Sequence, residues 1–325
     1  MPVITVVSPC YQEEDNVEIC YETVKRIFEE QLPGYTREHI FADNASTDQT
    51  VEKLRHIAQS DPSVKVIVNA RNFGLFRSTF NALRYATGDA ILLMLPVDLQ
   101  DPPQMLPEFV KLWEQGYQVV AGARLERQEG AIMRACRRLF YTIVNKLADF
   151  EIPENVGEFQ LVDRKVLDAV ISHEDQYPYI RGLVASVGFR RVIVPYTWVT
   201  RERGKSKLRL WTLIDQALNG IFAFTSAPMR AATLAGFALS ALCVAYALVM
   251  VAAYFLLPNA APRGITTLLV SLFFLSGVQI AFIGMLGEYV TAIHAQVRRG
   301  RVVTEQERIN VESEEDGARS RREAR

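Results

Sequence analysis

Residues 3–14 read VITVVSPCYQEE, a run of β-branched and other apolar residues that passes directly into a polar segment. The run Val3–Ser8 is typical of a buried β-strand, and residues Asn16–Glu30 carry apolar side chains at helical spacing. This unit of strand, polar segment and helix recurs through the first 125 residues. Such alternation predicts an α/β domain with a mainly parallel sheet flanked by helices.

Polar clusters follow each of the first four predicted strands. They occupy residues 9–14, 43–48, 71–74 and 98–103, and a fifth strand is predicted at Gln118–Ala121. Because ligands bind at the carboxyl ends of strands in open sheets, these clusters are expected to converge. Their carboxylates and amides suit a nucleotide together with a hard divalent cation. For a single cluster the alternative is a helix cap, a role that Ser46 or Thr47 would fill.

Composition excludes several classes of protein. The chain has 36 Lys and Arg against 37 Asp and Glu, a net charge of −1 that argues against a nucleic-acid-binding domain. A hydrophobic content of 49% excludes general disorder. The four cysteines are scattered without a C-x-x-C pair, so the sequence indicates neither a zinc site nor a disulfide framework.

Two long segments carry no charged residue, Ala231–Leu257 and Ile265–Gly287. A bilayer requires about 20 apolar residues per helix, so both segments predict membrane spans, with two buried core helices as the alternative. Basic residues flank the outer ends of the pair, at Arg230 and at Arg298, Arg299 and Arg301. The excess of positive charge predicts a hairpin with both outer ends in the cytoplasm.

The chain is therefore expected to have four parts: a cytosolic domain at 1–205, an amphipathic helix at 206–228, two transmembrane helices within 229–297, and a tail at 298–325. The basic and aromatic character of 206–228 favours the membrane interface, with packing against the domain's own sheet as the alternative. The tail is basic at first and then mixed in charge, which predicts a cytosolic segment without regular structure.

The order of the motifs resembles a known family. P-x-Y-x-E at 9–13, D-N-A-S-T-D at 43–48, R-N-F-G at 71–74 and D-L-Q-D-P-P at 98–103 look like those of family 2 glycosyltransferases. The likeness continues through G-E-F-Q at 157–160 and R-E-R-G-K-S-K at 201–207. Within the family the chain is similar to the polyprenyl-phosphate glycosyltransferases, the group with dolichyl-phosphate mannose synthase and bactoprenol glucosyltransferase. The resemblance implies a GT-A-like fold.

The resemblance also implies roles for individual residues. Substrate binding would fall to Pro9, Tyr11, Glu13, Asp43, Asn44, Arg71, Ser206 and Lys207. Asp98 and Gln100 would hold magnesium or manganese. Of the catalytic group, Arg124 and Arg138 would hold an acceptor phosphate, and Arg201 would close over the diphosphate. Glu158 would orient the sugar or the acceptor.

Some positions depart from the family pattern. Pro96 stands where an aspartate usually precedes the metal-binding aspartate by two residues, so the site has one carboxylate fewer. Asn44 replaces the usual second aspartate of its motif, Leu75 replaces a frequent lysine, and Glu158 stands where aspartate is commoner. These departures affect the expected sugar-nucleotide preference more than the expected reaction.

The expected function is that of a membrane-anchored inverting glycosyltransferase. It would move a hexose from a nucleotide sugar, UDP-glucose or a related UDP-sugar, to polyprenyl (undecaprenyl) phosphate. Its expected location is the bacterial inner membrane, with the catalytic domain and both termini cytoplasmic, and the resemblance implies a homo-oligomer, a tetramer. The alternatives are a processive polysaccharide synthase and a catalytically degenerate membrane scaffold, the latter suggested by Pro96.

Overall fold

The protein is described by a computed structural model, which covers residues 1–125, 153, 155–173, 175, 178–197, 232–239, 241–242, 245–246, 248–249, 264–297 and 302–311. These residues fall into two units. The first contains the described residues before 198 together with 302–311, and the second contains those between 232 and 297.

The first unit is built on an eight-stranded sheet in the order β7-β5-β6-β4-β1-β2-β3-β8. The strands are β1 (Val3–Cys10), β2 (Thr36–Asp43), β3 (Val64–Asn69), β4 (Ala90–Leu92), β5 (Val119–Arg124), β6 (Val156–Asp163), β7 (Arg191–Tyr196) and β8 (Glu305–Ile309). Neighbours β4, β1, β2 and β3 run parallel, as do β5 and β7. Strand β6 is antiparallel to β4 and β5, and β8 is antiparallel to β3.

Helices cover both faces of this sheet. They are α1 (Val17–Gln31), α2 (Thr50–Ser60), α3 (Leu75–Leu83), α4 (Leu106–Glu114), α5 (Arg164–Ile171) and α6 (Ile180–Ser186). The apolar sides of α1, α2 and α4 share one core with the sheet, which includes Val24, Leu54, Phe109 and Phe159. Helix α5 contacts both α3 and α6, and all three helices pack against strands of the sheet. Burial of these apolar surfaces is the main source of stability for the unit.

The predicted parallel strands are confirmed, but the sheet is mixed in direction. The sequence carries no signal for the direction of β6, which enters the sheet antiparallel between β4 and β5. The prediction of a tail without regular structure is wrong for Glu305–Ile309, which forms strand β8. Its mixed charges are compatible with an edge strand because alternate side chains stay partly exposed.

A buried ion pair lies at the amino-terminal side of the sheet. The Glu38 carboxylate accepts hydrogen bonds from Lys65 Nζ at 2.6 Å, from Thr87 N at 2.7 Å and from the Thr5 hydroxyl. Burial alone would raise the pKa of Glu38, but Lys65 and these donors outweigh it and lower that pKa. The folded state therefore gains stability from Glu38 above its unfolded pKa and loses it as the pH falls.

Replacing Lys65 with methionine should lower the free energy of unfolding by about 2 kcal/mol at pH 7, because it leaves the Glu38 charge buried without its cation. The deficit should shrink toward pH 4, where Glu38 can take up a proton. Denaturant unfolding at both pH values measures the effect. A deficit that is equal at the two pH values would contradict the electrostatic explanation.

The second unit contains one long helix, α7 (Ile265–Val297). Within the described part of the chain this is the one helix with the length and apolarity to cross a membrane, through Phe274–Thr291. It begins where the second predicted span begins and continues ten residues past its predicted end at Gly287. Residues 232–239 of the first predicted span are also helical. The rest of that span is described only in short pieces, and the predicted interfacial helix lies outside the described residues.

Candidate active site

The polar segments after β1 and β2 are joined by direct hydrogen bonds. Gln12 N donates to Ser46 Oγ and Glu13 N donates to Thr50 Oγ1, both at 2.9 Å. The predicted substrate residues of the first segment, Pro9, Tyr11 and Glu13, lie at and just beyond the end of β1, with Tyr11 and Glu13 partly exposed. The two loops thus form one continuous surface at the carboxyl edge of the sheet.

Asp43 ends β2 with a fully buried side chain. Its Oδ2 accepts the Ser46 backbone N–H at 2.9 Å, and its Oδ1 lies 3.8 Å from Cys10 Sγ. Burial raises the pKa of Asp43 despite the hydrogen bonds from Ser46 that act against it. A buried carboxylate with spare acceptor capacity at a strand end is suited to receive an N–H or hydroxyl of a ligand.

An amide cluster ties the second polar segment to the third. Asn44 Nδ2 donates to Asn72 Oδ1 at 2.9 Å, and Asn44 Oδ1 accepts from Phe73 N at 2.9 Å and Asn69 Nδ2 at 3.2 Å. Arg71 is exposed, and its guanidinium stacks 3.9 Å from the ring centroid of Phe73. Asn44 therefore stabilises the loop that carries Arg71 through these hydrogen bonds. The structural role of Asn69, at the last position of β3, was not predicted.

Asp98 and Gln100 lie in the turn that follows β4, both partly buried. Gln100 N approaches Asp98 Oδ1 at 3.4 Å, and Leu99 N donates to Pro96 O at 3.0 Å, which closes the turn. One carboxylate and one amide oxygen are hard ligands that fit Mg²⁺ or Mn²⁺, ions that keep several water or phosphate ligands of their own. Pro96 contributes backbone geometry to the turn and has no ligating side chain.

Arg124, predicted to hold an acceptor phosphate, has an internal partner. Its Nη2 donates to both oxygens of Asp101 at 3.0 and 3.2 Å, and its Nε donates to Tyr196 Oη at 3.0 Å. Burial alone would lower the pKa of Arg124, but the Asp101 carboxylate raises it. Neither Asp101 nor Tyr196 was predicted. The sequence signal for Asp101 is its place as the final Asp of the D-L-Q-D motif. Its partners Arg124 and Tyr196 lie 23 and 95 residues further along the chain, so the motif does not indicate them.

Glu158 lies on β6 and is buried. Because β6 is antiparallel to its neighbours, its first half lies at the same edge as the ends of β4 and β5, where Leu93 N donates to Gln160 O at 2.9 Å. The Nε of Arg181, on α6, is 3.7 Å from Glu158 Oε1, an ion pair that was not predicted. The glutamate thus lies at this edge of the sheet beside a cationic partner.

The remaining predicted residues, Arg138, Arg201, Ser206 and Lys207, lie outside the described part of the chain. The described residues Pro9, Tyr11, Glu13, Asp43, Asn44, Arg71, Asp98, Gln100, Arg124 and Glu158 all belong to the carboxyl edge of the sheet or to the loops that extend it. This edge is therefore the candidate active site.

Replacing Asp43 with asparagine should weaken binding of UDP roughly tenfold or more, because a charged acceptor is lost. It should also raise the free energy of unfolding at pH 7.5 by about 1 kcal/mol, since asparagine can keep the Ser46 bond without a buried charge. The raised pKa of Asp43 means that this gain should disappear as the pH falls and Asp43 becomes neutral. Calorimetric titration with UDP and unfolding curves at several pH values measure both effects. A variant less stable at pH 7.5 would contradict the prediction.

Comparisons with known proteins identify the family of the chain. The family model described as Glycosyl transferase family 2 matches residues 5–171. The chain is 34% identical over 297 residues to a prophage bactoprenol glucosyl transferase homolog of Escherichia coli, covering 91% of this chain and 96% of that protein. It is 33% identical to the uncharacterized glycosyltransferase sll0501 of Synechocystis, covering 91% and 92% of the two chains.

The bactoprenol glucosyl transferase of Shigella phage SfII is 34% identical over 296 residues, covering 91% of this chain and 94% of that protein. A solved mannosyltransferase of Pyrobaculum calidifontis, in complex with GDP-Man and Mn²⁺, is 21% identical with a TM-score of 0.46, covering 91% of this chain and 86% of that one. The family model spans more than half of the chain and the relatives span most of it. The chain therefore belongs to glycosyl transferase family 2 and is a glycosyltransferase.

Proposed function

We propose that this glycosyltransferase moves a hexose from UDP-glucose or a related UDP-sugar to polyprenyl (undecaprenyl) phosphate, with inversion at the anomeric carbon. The observation that carries the proposal is the combination of a polar sheet edge with the named relatives of the chain. Buried and partly buried carboxylates and amides converge at the carboxyl edge of the sheet, and relatives named bactoprenol glucosyl transferase match 91% of the chain at 34% identity. The first finding supports a nucleotide donor, and the second supports a lipid acceptor.

The donor is assigned to the joined loops after β1, β2 and β3. Asp43 would accept from the base or ribose, while Arg71, exposed beside Phe73, would face the anionic part of the nucleotide. A divalent ion held by Asp98 and Gln100 would supply charge neutralisation of the diphosphate leaving group. From the resemblance, Arg201 with Ser206 and Lys207 would close over the same diphosphate.

The acceptor needs little activation. A phosphate monoester has a second pKa of about 6, so its oxygen is largely ionised at neutral pH and is already a nucleophile. The enzyme therefore has no need of a strong general base, and its main task is to bring two anions together. Glu158, held near Arg181, would orient the sugar, and Arg138 would contact the acceptor phosphate.

Membrane anchoring is part of the proposal. Helix α7 has the required length and apolarity to be the second span of a hairpin, and the segment 231–257 would provide the first. The basic residues at both outer ends favour a catalytic domain at the cytoplasmic face of the bacterial inner membrane. This location would place the site beside the phosphate of a lipid acceptor.

Purified full-length protein incubated with a radiolabelled UDP-sugar, undecaprenyl phosphate and Mn²⁺ tests the proposal. Formation of a lipid-linked monosaccharide with inverted configuration is the expected result, and screening donors by release of UDP identifies the sugar. Production of a long polymer would instead favour a processive synthase. No transfer from any donor to any polyprenyl phosphate would overturn the proposal and favour a degenerate scaffold.

A further inference from the structure

Asp101 is a buried carboxylate three residues after the proposed metal ligand Asp98, with an exposure of 1%. Both of its oxygens accept from Arg124 Nη2, at 3.0 and 3.2 Å, and the Tyr196 hydroxyl also donates to Oδ1. Arg124 Nε in turn donates to Tyr196 Oη at 3.0 Å. The three side chains thus form a closed hydrogen-bonded triangle, here called the Asp101 triad.

The triad joins three segments of the chain that are distant in sequence. Arg124 is the last residue of β5 and Tyr196 is the last residue of β7, and these two residues are register partners in the parallel pair of strands. Leu125 N also donates to Tyr196 O at 2.9 Å, which extends the pair beyond the strand ends. Asp101 therefore connects the turn that carries Asp98 and Gln100, through hydrogen bonds, to the ends of β5 and β7.

The Tyr196 side chain of the triad is also held by packing. The Tyr196 ring packs edge-on against Phe159, with ring centroids 5.5 Å apart. Gly122 leaves room for both rings, because a Cβ at that position would lie 2.9 Å from an atom of each. The hydroxyl of Tyr196 is therefore held in place by packing as well as by hydrogen bonds, and burial together with Asp101 raises the pKa of Tyr196, so it remains a donor at neutral pH.

The turn that carries Asp98 and Gln100 has a backbone conformation that depends on surrounding contacts. Leu99 has a φ of 54°, a left-handed conformation that is unfavourable for a leucine and persists only when surrounding contacts fix it. A buried carboxylate must keep its partners, because an uncompensated charge in that position is strongly unfavourable. The position of Asp101 is consequently well determined, and Asp98 and Gln100 are only three residues and one residue away from it along the chain.

We propose that the Asp101 triad positions the metal ligands: Asp101, held by Arg124 and Tyr196, sets the placement of Asp98 and Gln100 for a divalent ion and the diphosphate. This inference rests on the proposed function for the metal-diphosphate site. It gives Arg124 a positioning role through Asp101, in addition to the predicted contact with the acceptor phosphate. It also connects the metal turn to the end of β7, five residues before Arg201 in the chain.

Metal affinity measured separately from nucleotide affinity tests the proposal. Binding of Mn²⁺ in the presence of UDP is followed by electron paramagnetic resonance, and binding of UDP alone is followed in EDTA, for the full-length protein and for Asp101→Asn and Tyr196→Phe. Removing a group that orients a metal ligand typically weakens metal binding by about 10- to 100-fold, which is the effect expected for Asp101→Asn. A smaller loss, roughly threefold, is expected for Tyr196→Phe because the ion pair remains. UDP affinity without metal should stay within about twofold, since the donor loops are untouched.

Asp163→Asn is the matched control. The Asp163 carboxylate accepts Trp113 Nε1 at 2.9 Å and Lys165 N at 3.0 Å, at the opposite end of β6 from the site. This variant should lower the unfolding temperature without changing Mn²⁺ affinity. If Asp101→Asn lowers the unfolding temperature similarly and leaves Mn²⁺ affinity within about twofold, the triad only stabilises the fold and the proposal is wrong.

The remaining outcomes are also decisive. Should Asp101→Asn fail to fold, Tyr196→Phe carries the test, and an unchanged Mn²⁺ affinity in that variant would overturn the proposal. A native chain that binds no Mn²⁺ in the presence of UDP would overturn it as well. A native chain that binds both ligands but transfers no sugar to polyprenyl phosphate would overturn the proposed function alone, because the affinity ratios would still report on the triad.

Discussion

Asp98→Ala is expected to reduce sugar transfer by roughly 10³-fold or more, because it removes the one carboxylate proposed to hold the ion that neutralises the leaving diphosphate. In the described turn Pro96 cannot substitute for it, and Gln100 offers only a neutral amide oxygen. The expected loss is therefore larger than in a site that shares the metal between two carboxylates. Single-turnover transfer from a radiolabelled donor measures the rate of the chemical step.

The same variant should remain folded. Asp98 is partly exposed, so its replacement by alanine opens no fully buried cavity and the stability cost should stay below about 2 kcal/mol. Glu30→Ala is a suitable control, since it removes an exposed carboxylate near the end of α1, which leads into the start of β2 at the opposite edge of the sheet from the site. The control should retain full activity. Near-normal transfer by Asp98→Ala would disprove the assignment of the metal site.

Ending the chain after Arg301 is expected to lower the free energy of unfolding of the first unit by on the order of 4 kcal/mol. Without β8 the backbone N–H and C=O groups on the outer side of β3 lose their antiparallel hydrogen-bond partners. Asn310 Nδ2 no longer donates to Ala58 O at 2.7 Å and Val64 O at 2.9 Å, and buried Asn81 loses its contact with Glu305. The exposed Arg55–Glu307 ion pair adds little to this sum.

A chain ending after Val311 is the matched control, because it retains all of β8 and removes only residues beyond it. Hydrogen exchange of the β3 amides and chemical unfolding should distinguish the two truncations, with loss of protection only in the shorter one. Equal protection of β3 in both would show that β8 contributes nothing to the stability of the sheet.

The parallel strands β1 to β4 could be predicted because each contains a short apolar run that is followed by a polar segment and an apolar-periodic helix. The same pattern located Asp43, Asn44 and Asp98, since residues at the carboxyl end of a parallel strand share one edge. Local periodicity does not encode strand direction, so the antiparallel entry of β6 was not predicted. The position of Glu158 at the site depends on that direction.

Long-range pairing explains the other differences. The residues of β8 read EQERI, which resembles a solvated tail until their partners are known. Those partners, Arg55 and Asn81, lie 252 and 224 residues earlier in the chain. The true environment of Arg124 depends likewise on Asp101 and Tyr196. A motif identifies the residue types at a site, but it does not reveal which of them are already engaged with one another.

The position of β8 late in the chain also determines when the sheet can be completed during translation. During translation the ribosome releases β3 early and β8 only after the whole of α7 has been synthesised. Until then the outer edge of β3 presents unpaired backbone groups, which are a template for association between nascent chains. The sheet is therefore completed only after the apolar helix α7 has been synthesised. Under the proposed membrane anchoring, completion of the sheet by β8 would follow insertion of α7 into the bilayer.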